Sequence, residues 1–322
     1  MAALVPCFGV DARNRPWGVG SEHAASGSAE GLDLTVTIVF ALAAALANAV
    51  HLMTQHAASA GVSGEHRGWA LVTFLLRQPL WLLGWAAAAG GFAFQAVALH
   101  SGQLSIVQPL LVTELVFALV LRRFWVHQHI AKRAWTAALV TCAALAAFLT
   151  TAEPHGGRMR PDPTDWISAV AVFGGVVALL SLLARRGSPV RRAALYAIGA
   201  SITWALMAAF IKATTDVLAS SGFVGMLVHW PVYALIAAGV VGSVLQQAAL
   251  QVGPLRVSQP LIVVVDPAVA IVLSAWIFDE RFTVSPMQKA VAAVAFGVMT
   301  VGVVALSRTA PDDLDPSVPV RL

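Results

Sequence analysis

Residues 94–125 read FQAVALHSGQLSIVQPLLVTELVFALVLRRFW, and residues 245–276 read LQQAALQVGPLRVSQPLIVVVDPAVAIVLSAW. The two stretches align without a gap, each position of the second lying 151 residues (245 minus 94) beyond its counterpart. Identities fall at Gln95/Gln246, Ala98/Ala249, Leu99/Leu250, Gly102/Gly253, Leu104/Leu255, Gln108/Gln259, Pro109/Pro260, Leu110/Leu261, Val112/Val263 and Trp125/Trp276. Apolar bias explains several of these. It does not readily explain a shared Gln-Pro inside an apolar run or a shared glycine at the turn before it. A repeat on this scale makes the chain two related halves, and in a membrane protein two related halves usually frame a transport path.

Composition places the chain in a bilayer. Hydrophobic residues make up 58% and charged residues 11% of 322 positions, with mean hydropathy +0.78, outside the range of soluble globular domains. The formal charge of +4 does not point to nucleic acid, because the basic residues are scattered through short connections rather than gathered on one face. Cys7 lies in a polar tail and Cys142 in an apolar run, so neither a disulfide framework nor a cysteine metal motif is available. The expected domain order is a disordered polar tail (1–32), a first four-helix membrane repeat (33–151), a loop and linking span (152–190), a second four-helix repeat (191–307) and a polar tail (308–322).

A helix crosses a bilayer with about 20 apolar residues. Nine stretches qualify: 33–57, 79–99, 103–124, 133–151, 165–184, 193–212, 228–250, 255–278 and 287–307, with 70–78 as an interfacial lead-in. Odd-numbered connections and the C-terminus hold Arg67, Arg77, Arg122, Arg123, Lys132, Arg133, Arg185, Arg186, Arg191, Arg192, Arg256, Arg308 and Arg321, whereas the other side holds Arg13, Arg15, Arg158, Arg160, Arg281 and Lys289. By the positive-inside rule the C-terminus is cytoplasmic and the N-terminus outside, in a multi-pass protein of the cytoplasmic (inner) membrane. The repeat copies occupy spans two to three and seven to eight. A displacement of five spans is odd, so the halves are inverted, giving an all-α integral membrane protein with about nine transmembrane helices in a 4+1+4 inverted-repeat bundle.

With these residues on the page, the chain resembles the drug/metabolite transporter superfamily with its EamA-type repeats, in the nine-span form related to the NIPA-like magnesium transporters. The segments that carry the resemblance are ALANAVHLMTQHAA (45–58), PLWLLGW (79–85), QAVALHSGQLSIVQPLL (95–111), LQQAALQVGPLRVSQP (245–260) and VVDPAVAIVLSAWIFDERF (264–282). The last ends on Glu280-Arg281, as the family's repeats do; the first half departs from this, with His129 opposite Glu280. What the resemblance implies is transport of a small solute.

Glu114 and Asp266 sit near the middle of the third and eighth spans. A charge there costs roughly 2.5 to 3.5 kcal/mol on insertion scales, so each acid must face the interior, carry a proton or pair with a cation. They are the candidate coupling or metal-binding residues, against the alternative of neutral, hydrogen-bonded structural acids. Asn48, His51 and Gln55 form one polar stripe down the first span, either a water-facing wall or a set of interhelical hydrogen bonds. Gln108 and Gln259, and Gln95 with Gln246, line the path or satisfy backbone freed by the prolines. The order Asp266-Pro267 allows span eight to restart as a capped helix or simply to kink. Lys212 snorkels, pairs with Asp216 or binds an anionic substrate. Most tryptophans, Trp166 and Trp230 among them, lie at span ends where an aromatic belt places them; Trp204 is deeper and could touch a ligand. Nothing resembles a nucleophile and base, a metal-spaced cluster or a phosphate loop. The expectation is a transporter and not an enzyme, without cofactor, whose partners are the lipid bilayer and a small-molecule or ion substrate; a second copy of the chain is a further partner the sequence allows, and nucleic acid is not. A cation or cationic metabolite is the expected solute, with magnesium or another divalent cation as the alternative, and a non-transporting scaffold or sensor as the alternative of another class.

Overall fold

The computed structural model describes residues 19–60, 78–125, 130–152, 154–155, 161–253, 255–282 and 285–309. The lead-in at 70–77, His129 and the tail from 310 lie outside the described residues. The helices are α1 (Val19–Ala60), α2 (Pro79–Ser101), α3 (Leu104–Leu111), α4 (Glu114–Phe124), α5 (Lys132–Ala152), α6 (Pro163–Leu183), α7 (Pro189–Val228), α8 (Pro231–Val252), α9 (Leu255–Ile277) and α10 (Pro286–Thr309). Five of them begin on proline, whose fixed φ suits the first helical turn and whose missing N–H would have had no partner there. Ser188 adds a cap at α7, its Oγ accepting from Arg191 N at 3.4 Å.

Among the described residues nine helical spans are long and apolar enough to cross a membrane. The third is made of α3 and α4 together. The bundle is inside-out in polarity: Leu139, Ile167, Val294 and Val301 face outward, while Thr37, Ser105, Gln108, Thr141, Ser201 and Glu280 are buried. Hydroxyls inside the helices return their bonds to carbonyls one turn back, as Thr141 Oγ1 does to Ala137 O (2.9 Å) and Thr203 Oγ1 to Gly199 O (2.8 Å), which is how polar groups survive where water is absent. The protein is therefore an all-α, multi-pass membrane protein.

Helix α1 packs along α2, α7 along α8, and α5 along α10; α3 meets α9, α1 meets α3 and α4, and α7 meets α9. Small residues set these approaches. The repeat glycines Gly102 and Gly253 share an extended backbone (φ −141°, ψ −176° and φ −149°, ψ 178°), so their need for glycine is not conformational. A Cβ on Gly102 would run into Thr37 of α1, and one on Gly253 would lie 2.5 Å from Ala193 Cβ and 2.9 Å from Pro189 O of α7. In each repeat copy the same turn leans on a membrane span near its start, at Thr37 of the span from Asp33 and at Pro189 and Ala193 of the span from Pro189.

The second, fourth, sixth and eighth connections meet on one face. There the two-residue strands β1 (Pro154–His155) and β2 (Arg281–Phe282) pair antiparallel, and Trp166 at the start of α6 contacts Trp230 and Phe278 at ring-centroid distances of 5.2 and 5.8 Å. This is what nine alternating crossings require. We call it the even-loop face.

Two expectations need correction, and an open alternative is decided. Helix α1 begins at Val19, inside the stretch read as a disordered tail; between Pro16 and Pro79 no proline stops a helix once the span has nucleated it. The sixth span runs past Lys212 to a break at Gly222 (φ 68°) and on to Val228. Span eight does not restart at Asp266, since α9 is continuous through Pro260 and Pro267. The break lies in span three instead, where Pro109 withholds an N–H from the preceding turn. Val112 and Thr113 then bond in tight three-residue turns to Pro109 O and Leu110 O (3.2 and 3.0 Å), and Thr113 Oγ1 takes Leu110 O at 2.6 Å.

Candidate functional site

The break in span three makes Glu114 the first residue of α4. A carboxyl there stands at the positive end of the helix dipole, within the membrane span Leu104–Phe124. Asn48 of α1 lies beside its side chain, within interaction range. Asn48 fits because Gly91 of α2 has no side chain: a Cβ there would lie 2.6 Å from Asn48 Oδ1. Asp266, from α9 in the other repeat copy, is close enough to Glu114 to feel its charge. Its Oδ1 is buried with no hydrogen-bond partner among the described residues. Three helices, two from one half and one from the other, thus bring two acids and an amide together at mid-span. A buried carboxyl oxygen left without a protein partner costs about 1–3 kcal/mol, and a site that keeps such a group needs a reason for it.

Other residues singled out above fall elsewhere. His51 Nδ1 donates to Gly84 O at 2.8 Å and its ring stands edge-on to Trp85 at 6.2 Å, so it bonds α1 to α2. Trp204 Nε1 donates to Gln246 Oε1 at 2.8 Å, joining α7 to α8, with Trp204 lying over Gly242. Gln108 is buried and Gln95 half-buried. The side chains of Gln55 and Gln259 lie outside the described residues. Among the described residues no group of three or more His, Cys, Asp or Glu is placed to hold a metal ion; Glu114 and Asp266 come together as a pair, with Asn48 beside them.

Lys212 does not pair with Asp216. Its Nζ donates to Leu99 O (2.8 Å) and Gly102 O (2.5 Å) at the end of α2, 5.6 Å above the Phe278 ring, while Asp216 accepts instead from His100 Nδ1 at 2.9 Å. A lysine ammonium is a natural partner for the unpaired carbonyls of a helix C-terminus. Trp166, read as a belt anchor, is 6% exposed and stacks on Phe210 at 5.3 Å, because the even-loop face closes over it.

Sequence reasoning missed the job of Glu280. It is 2% exposed, and its carboxylate accepts from Leu104 N (3.0 Å), Ser105 N (3.3 Å) and Ser105 Oγ (2.7 Å), capping α3 from the opposite half. Asp279 positions it. With φ 51° it takes the left-handed place that usually falls to glycine after a helix, and Glu280 N–H closes a seven-residue loop to Ser274 O at 3.2 Å. The signal was present: Glu280 ends the stretch that carries the family resemblance, and Leu104 and Ser105 open the helix after the repeat glycine. Lys212 and Glu280 together hold the α2–α3 turn, one by its carbonyls and the other by its amides.

No known protein-family profile matches the chain, and no solved structure matches it. The chain is 30% identical over 277 residues to the uncharacterized protein Cgl0250/cg0304 of Corynebacterium glutamicum, a match that covers 85% of this chain and 95% of the relative. A likeness of that extent places the chain in the same protein family as Cgl0250/cg0304 of Corynebacterium glutamicum.

Proposed function

We propose that the protein is a secondary transporter of the drug/metabolite type, moving a small cation or cationic metabolite across the cytoplasmic membrane by alternating access. The observation that carries this is that Glu114 and Asp266, one from each repeat copy, lie within electrostatic range of each other, with Asn48 beside the first and a buried oxygen unpartnered on the second. Two carboxyls this close do not both stay charged in a low-dielectric site. A proton, or a cation, resolves the conflict, and a group that exchanges one for the other across two faces couples solute to gradient.

The packing supports an inverted 4+1+4 reading. Spans three and eight, and spans four and nine, are repeat counterparts, and in each pair the counterparts touch, as helices beside a pseudo-twofold axis must. With the basic residues on the opposite side, the even-loop face is the outer one and the C-terminus is cytoplasmic. A divalent cation such as magnesium is the second reading, because it keeps several waters and needs only one or two carboxylates from the protein. Against a scaffold or sensor stands the grouping of Asn48, Glu114 and Asp266 within interaction range at mid-span, where a scaffold would have apolar packing.

The test is a pH-indicating dye sealed inside proteoliposomes, with magnesium and a panel of primary and quaternary amines added outside. A saturable internal pH change with one of these identifies the solute class. Silence across the panel under both gradient polarities would hand the ground to the scaffold reading.

A further inference from the structure

A cavity of about 1180 Å³ lies on the even-loop face, between the start of α6, the end of α7 and the start of α8. It belongs to neither mid-span acid. Trp166, Phe210 and Trp230 line it and contact one another, Phe210 and Trp230 at a centroid distance of 6.0 Å. Asp216, with His100 donating to it at 2.9 Å, and His229, whose Nδ1 donates to Gly225 O at 2.7 Å, also line it. Ile167, also in the lining, is 70% exposed, so one side of the cavity faces the surrounding lipid.

The chemistry of these walls is specific. Large aromatic surfaces favour an apolar body and stabilise an adjacent cation through their ring electrons. Among the described residues of the lining Asp216 is the one carboxylate, and no lysine or arginine joins it. Lys212, one turn away, is turned onto Leu99 O and Gly102 O, so its ammonium is engaged away from the cavity. An anion would meet the Asp216 carboxylate here; an organic cation would be drawn to it.

We propose that this cavity is a binding site for an amphiphilic organic cation, an apolar body carrying an ammonium-type head, entered from the membrane side with the head toward Asp216. The head could come from a soluble lipophilic cation or from an aminophospholipid of the outer leaflet. The two share one chemistry, and the experiment separates them.

Full-length protein in phosphatidylglycerol nanodiscs is titrated with tetraphenylphosphonium, and binding to empty nanodiscs is subtracted. Tetraphenylborate, of the same shape and opposite charge, runs alongside. The expected result is saturable binding of the phosphonium and not of the borate. Asp216→Asn should weaken it about tenfold, one decade in Kd, and Trp166→Leu should weaken it as well. The Glu114→Gln/Asp266→Asn double variant should bind as the wild type does, which separates this site from the proposed transport site. Displacement by added phosphatidylethanolamine would make the lipid the natural occupant, and persistence would make it a soluble cation; either supports the site. Equal binding of the borate, or wild-type affinity in a folded Asp216→Asn protein, would overturn it.

Discussion

Replacing Glu280 by alanine removes the acceptor for Leu104 N, Ser105 N and Ser105 Oγ. Leu104 and Ser105 are fully buried, so water cannot take over their amides. The serine hydroxyl can turn to a carbonyl, leaving two N–H groups at about 1–3 kcal/mol each, or about 3 kcal/mol altogether after relaxation. Glu280→Gln keeps the size and one acceptor oxygen and should lose about half as much. The two effects separate in a double-variant cycle with Ser105→Ala, in which the 2.7 Å charge-assisted bond should appear as a coupling of about 1–2 kcal/mol. Reversible unfolding in mixed micelles, followed by far-ultraviolet ellipticity, reads all four proteins. A loss below about 0.5 kcal/mol for Glu280→Ala, the ordinary range of surface substitutions, together with no coupling to Ser105, would refute the capping account.

Other sites make equally definite predictions. Gly91→Ala should push Asn48 off Glu114, costing about 1–3 kcal/mol and reproducing the transport defect of Asn48→Ala; wild-type flux in a folded Gly91→Ala protein would show that the contact does not matter. Gly102→Ala should destabilise by a similar amount, because the new methyl meets Thr37, and Thr37→Ala should recover part of that loss in the same unfolding assay. Asp279→Gly should leave stability unchanged or raise it by a few tenths of a kcal/mol, since its φ of 51° suits glycine, whereas Asp279→Val should cost about 1–2 kcal/mol. Trp204→Phe should cost about 0.5–1.5 kcal/mol for the lost bond to Gln246 and leave any solute affinity intact.

The alternation of apolar runs and short polar connections was enough to place nine spans, because bilayer thickness fixes helix length and the lipid-facing surface must be apolar whatever packs inside. The repeat showed which turns correspond, and Gly102 and Gly253 do the same work in both halves. The acids were legible for the same reason: an ionisable residue in mid-span must be accounted for. The break in span three was not. Both copies carry the Gln-Pro pair inside a helix, yet the helix of Pro109 stops two residues on, at Leu111, while that of Pro260 continues to Ile277, and the pair alone does not show the difference. Lys212 and Glu280 were hidden differently. Each acts on a turn more than a hundred residues away in sequence; the motif around Glu280 marks that residue, but one sequence does not say which distant turn it reaches. Trp166 looked like an interfacial anchor because position in a span does not say what folds over it.

The central claim is that Glu114 and Asp266 couple solute movement to the proton gradient. Accumulation of the identified solute in proteoliposomes under an imposed proton gradient tests it most directly, comparing the wild type with folded Glu114→Gln and Asp266→Asn proteins and with a lipid-facing control, Val301→Ala. The account predicts gradient-driven accumulation by the wild type and the control and its loss in both acid variants; accumulation at the wild-type rate in both acid variants would contradict it.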